Sequence, residues 1–170
     1  MKKFALLALV ALEILVCACG TSTNSSTTTT TTSASGKWQA TLVGGKGQSG
    51  AIDFVTSFSV GAGGGTLSFT ALTFLTTNSC FVSGQTLSGS ATLTTDSSNN
   101  VTGTLNITVT SGTPAGNTLT LTGDTVTGTS NSGVLTNGKV TGTWTLTGGA
   151  GDPTCATSQP GTFTLTQSSS

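Results

Sequence analysis

The chain has 170 residues, the size of one ordinary domain, with 6% charged and 5% aromatic residues, 24 glycines, no His and no Tyr. Threonine (40) and serine (22) make up more than a third of it, and its five lysines balance five acids, with no Arg. Lacking Arg and any basic cluster, it offers nothing to follow a nucleic-acid backbone. Lacking His, it has neither the commonest general base nor the commonest metal ligand. A nucleic-acid partner, a resident cofactor and an enzymatic activity are therefore not expected.

Met1-Lys2-Lys3 is a short basic start, and Phe4 to Leu12 is an unbroken apolar run followed by Val16-Cys17-Ala18-Cys19-Gly20. This is the layout of a secretory signal peptide. From Phe4 to Ala18 the stretch is too short for a spanning helix, which needs about 20 apolar residues, and Glu13 interrupts it. Val16-Cys17-Ala18 ahead of Cys19 resembles the lipobox of bacterial lipoproteins. The resemblance implies removal of residues 1–18, a diacylglyceryl thioether with palmitate-type acyl chains on Cys19, and anchorage to a membrane through those chains. Gly20 in the following position implies sorting to an outer membrane. The alternative is an ordinary signal peptide cleaved near Ala18. The signal and the composition together resemble the small Gly/Thr-rich β-domain lipoproteins of Gram-negative bacteria, which implies a cell-envelope location and no particular activity.

Thr21 to Ser35 contains no large apolar residue. It is expected to be a disordered Thr/Ser tether, roughly 20–25 Å long as a flexible coil. The reading divides the chain into a signal peptide at 1–18, a lipidated Cys with its tether at 19–35, and a β domain at 36–168.

From Gly36 onward one pattern recurs: Gly, polar, apolar, polar, apolar, Thr. Examples are Gly36-Lys37-Trp38-Gln39-Ala40-Thr41, Gly103-Thr104-Leu105-Asn106-Ile107-Thr108 and Gly142-Thr143-Trp144-Thr145-Leu146-Thr147, and there are six copies in all. Strict period-2 alternation predicts half-buried antiparallel strands, with Thr on the solvent face. The expected strands are 36–43, 50–60, 65–76, 85–95, 100–110, 117–129, 138–147 and 161–167. Glycines 89, 103, 128 and 142 fall on the apolar face, where they mark sharp coiling or close backbone approach. A sheet this poor in charge cannot guard its edges, and closure removes them. The fold expected is all-β, a small antiparallel up-and-down β-barrel of about eight strands, with a two-sheet β-sandwich as the alternative.

Cys80 and Cys155 fall in loops after the third and seventh strands, which lie at the same end of an up-and-down barrel. In an exported domain this predicts a disulfide, with two free thiols or a metal pair as the other reading. The bridge also requires 117–129 to be one strand carrying a bulge at Gly123-Asp124-Thr125. Trp38 and Trp144 lie on the inner face, where they are core residues or, if the barrel is hollow, walls of a ligand cavity. Asp96-Ser97-Ser98-Asn99-Asn100 is a turn with oxygens that a Ca²⁺ ion accepts, and Gly44 to Gly50 is a flexible loop with a superficial likeness to a phosphate loop. Thr ranks at 118–122, 141–147 and 162–166 are regular, but barrel strands twist too much for a flat ice-matching face. The expected function is a membrane-anchored, non-enzymatic barrel with a structural or surface-interaction role. A small apolar ligand-binding barrel resembling a lipocalin and an accessory subunit of an envelope assembly are the alternatives.

Overall fold

The computed structural model describes residues 30–45, 52–149 and 153–168. The signal peptide, Cys19, the first part of the tether, Lys46 and Asp152 lie outside the described residues. Nine strands follow in order: β1 (Ala34–Gly44), β2 (Phe54–Val60), β3 (Gly64–Thr66), β4 (Ser68–Phe74), β5 (Thr86–Thr95), β6 (Asn100–Thr110), β7 (Thr118–Asn131), β8 (Val134–Thr147) and β9 (Gly161–Gln167). A short 3-10 turn occupies Pro153–Cys155. All pairings between strands are antiparallel, and the sheet order is β3-β5-β6-β7-β8-β9-β1-β2-β4. Only Leu67 separates β3 from β4. The run 64–74 therefore pairs with β5 through its first half and with β2 through its second, and brings the two ends of the sheet together as a nearly closed barrel.

Alternation builds the core directly. Trp38, Ala40 and Leu42 of β1, Leu105, Ile107 and Val109 of β6, and Leu119 and Leu121 of β7 are all buried. Their polar neighbours form the outer face, where Thr120 pairs with Thr145 and Thr141 with Thr164. Glycine allows the strands to approach inside the curve. A Cβ on Gly142 would overlap the carbonyl of Thr122, and one on Gly103 would overlap that of Thr92. The expected bulge is present: the β7–β8 register shifts between Gly123 and Thr125, and again between Thr127 and Thr129.

Three expectations need correction. The strand expected at 65–76 is two. Its apolar positions change parity, from Leu67 and Phe69 to Leu72 and Phe74, and the β2–β4 register slips so that Thr70 has no partner between Phe69 and Ala71. The seventh and eighth strands run past 129 and begin before 138 to meet in a tight hairpin. Ser132 (φ 51°) and Gly133 (φ 79°) form its turn, the left-handed pair that matches strand twist.

The third correction concerns the tether, which was expected to run to Ser35. Residues 30–35 belong to the barrel. Thr30 bridges Thr95, and Ser33 bridges Val134 in parallel. Thr32 is fully buried, with its hydroxyl bonded to the Thr95 hydroxyl and to Ser130 Oγ at 3.0 Å. Gly63 N donates to Thr32 O (3.0 Å), Ser33 N to Gly133 O (2.9 Å) and Leu135 N to Ser33 O (2.8 Å). Thr32 and Ala34, in a segment without large apolar groups, are buried here because hydroxyls and main chain satisfy one another across the barrel mouth, while Thr30, Thr31 and Ser35 stay exposed.

These close approaches make glycine positions unequal. Gly142→Ala is expected to destabilise the protein by about 1–3 kcal/mol through overpacking. Gly61→Ala, where nothing lies within 4 Å of the new methyl, should leave stability almost unchanged. Urea unfolding of the two variants tests the contrast.

Candidate functional site

The interior of the barrel is filled. Trp38 stacks on Phe58 with ring centroids 5.2 Å apart, and Phe58 meets Phe69 edge-on at 5.8 Å. The Trp38 ring also occupies the space that a Cβ on Gly138 would need. Trp144 is buried at the opposite end, where its Nε1 donates to Val43 O at 3.2 Å. Its ring covers Gly45 and Gly161. Both tryptophans, expected either in the core or on a cavity wall, are core residues, and neither lines either of the two clefts described below. Trp38 Nε1 is buried without a hydrogen-bond partner.

The end opposite Thr30 is tied together. Cys80 and Cys155 form a disulfide with Cα atoms 5.5 Å apart, joining the loop after β4 to the loop after β8. Between them stands Asn117, fully buried. Its Nδ2 donates to Cys80 O at 3.0 Å and its Oδ1 accepts from Gly149 N at 2.7 Å, so one side chain ties the third loop to the other two. Sequence reasoning missed Asn117. The available signal was its parity, two residues before Leu119, which places a polar residue on the inward face.

The candidate polar sites are dispersed. Asp96 Oδ1 accepts from Ser98 N and Asn100 N, both at 2.8 Å, and Oδ2 accepts from Asn100 Nδ2 at 2.9 Å. The carboxylate is engaged by its own turn, and the Asn100 side chain, ahead of its backbone N–H, holds the acid below its ordinary value. Asp124 is exposed beside Thr125, and Lys37 and Lys139 are exposed on separate strands. No group of three His, Cys, Asp or Glu side chains converges among the described residues. The loop 46–50 lies outside the described residues.

Among the described residues, two clefts bear on the question of a site. The smaller, about 280 Å³, is a polar recess on the outer face of β1 and β9, lined by Gln39, Thr41, Thr166, Gln167 and Ser168. The larger, about 370 Å³, lies between β4 and the 75–85 loop. Its lining mixes apolar Leu72, Phe74, Leu75, Phe81 and Val82 with polar Thr76, Thr77, Asn78 and Gln85. Phe74 and Phe81 stack at 5.0 Å, while Leu75 (49% exposed) and Val82 (63%) form an apolar rim. No protein-family model, no characterised protein and no solved structure matches this chain.

The Asp96 turn gives a direct test. A carboxyl whose folded pKa is depressed contributes stability above its unfolded value of about 3.9, and that contribution is lost as pH falls through the folded value. An NMR titration should place Asp96 below 3.8, and Asn100→Ala should move it back up.

Proposed function

We propose that the protein is a lipid-anchored cell-envelope protein whose barrel has a non-enzymatic, surface-interaction role. The observation that carries this reading is Val16-Cys17-Ala18-Cys19-Gly20 behind a basic start and an apolar run. Acylation at Cys19 supplies two or three chains, enough for a stable anchor where one chain holds only marginally. The Cys80–Cys155 bridge suits an oxidising compartment outside the cytoplasm. Support for the non-enzymatic part is chemical. The described acids and lysines stand apart, and nucleophilic catalysis needs a base within hydrogen-bond reach of the nucleophile. A filled interior favours a role for the rim and outer surface over one for an enclosed ligand.

The proposed reading assigns the two tasks to opposite ends of the barrel. Residues 30–35 enter at one end, beside Gln167, whose Nε2 donates to Ser35 O at 2.9 Å. The disulfide-tied loops and the larger cleft lie at the other end. In the proposed arrangement the first end faces the anchoring bilayer and the second faces outward.

Fractionation of cells expressing Cys19→Ala tests the anchor. The variant should leave the membrane fraction and appear soluble, and the mass of the unaltered protein should exceed that of residues 19–170 by the acyl groups. A variant that stays with the membrane defeats the reading.

A further inference from the structure

We infer that the cleft between β4 and the 75–85 loop accepts an extended, uncharged peptide strand, which adds to the free edge of β4. The inference goes beyond the anchoring reading and is independent of it. β4 is the last strand in the sheet order, paired with β2 alone. Leu75 N donates to Asp53 O at 2.8 Å, which fixes the alternation. The main-chain groups of Phe74 and Leu72 consequently point away from β2, to the side where no strand follows. Across the seam, the bond from Leu67 N to Gly89 O (2.9 Å) is where β5 and this run part.

This edge lacks the usual protections. Ser68–Phe74 contains no charge and no proline. Its apolar side chains are only partly covered: Phe69, Leu72 and Phe74, with Leu87 of β5 opposite, are the half-buried hydrophobic residues packed against the core. The opening is held rather than incidental, because the loop that would close it is fastened elsewhere. Cys80 is bridged to Cys155, Val82 N donates to Thr113 O (2.9 Å), and Thr113 N donates to Ser83 O (2.9 Å).

Charge and hydrogen bonding together select the occupant. No Lys, Asp or Glu lines the cleft, so an occupant charge would lose hydration without gaining a counter-ion. An alkyl chain would touch Phe74, Phe81 and Val82 but leave the Leu72 and Phe74 main-chain groups unpaired and the polar groups of Thr76, Thr77, Asn78 and Gln85 facing hydrocarbon. A neutral strand with alternating apolar side chains satisfies both, with its backbone on β4 and its side chains against Phe74, Phe81 and Val82.

Residue-resolved amide hydrogen exchange on the full chain, taken from whichever cell fraction contains it, tests this separately from the anchor. The probe is an end-capped heptapeptide copying residues 161–167. It should slow exchange at Leu72 and Phe74 while leaving Leu121, in the middle of β7, unchanged. Leu75→Lys and Val82→Lys, at exposed rim positions that leave the fold intact, should each weaken the peptide by about tenfold. A peptide N-methylated along the edge that faces β4 should not protect. The inference fails if the Leu72 and Phe74 amides are already as slow as Leu121 without peptide, or if saturating peptide leaves them unchanged. Equal binding by the N-methylated peptide, or displacement of the peptide by a long-chain fatty acid, also overturns it in favour of a purely apolar site.

Discussion

A sheet made by a chain with almost no charge has little to guard its hydrogen-bonding edges, and most of the structure follows from this constraint. Thr and Ser supply solubility without the repulsion that keeps edges apart. The remaining solution is to curl the sheet until its ends meet. Curling at this strand number needs backbones to come closer than side chains permit, and glycines at 103, 123 and 142 sit where a Cβ would strike a neighbouring carbonyl. The glycine content and the shortage of charge are thus two aspects of one design.

Closure in turn decides where anything can happen. The two tryptophans pack with Phe54, Phe58 and Phe163 in the interior of the described barrel. Each end is finished differently. One is covered by residues 30–35 through hydroxyl and main-chain bonds, and the other by a disulfide with Asn117 beside it. The imperfect place is the seam, where one run of chain is shared between two neighbours and satisfies neither along its whole length.

Much of this was legible from residues alone. Period-2 alternation with a glycine leading each unit gave the strand count to within one; two cysteines in loops of matching parity gave the Cys80–Cys155 bridge, and the bridge in turn favoured the bulge at Gly123-Asp124-Thr125. The misses share a cause. Alternation reports which face a residue takes, not which partner it has. The step from Phe69 to Leu72 marked a parity break inside an expected strand, yet its consequence, an edge left open, depends on where β5 goes. Likewise a run of Thr and Ser looks like a tether until it meets other hydroxyls. Thr32 is buried because Thr95 and Ser130 happen to wait for it, and both are distant in sequence.

The covering segment also determines how the barrel meets mechanical load. Force arriving from the N-terminal side of Thr30 does not act first on the long ladders that β1 makes with β2 and β9. It acts on a strap whose bonds reach Gly63, Thr95, Ser130, Gly133 and Leu135, spread over three separate hairpins. A pull on the leading segment is therefore shared among turns around the rim before it reaches the barrel wall.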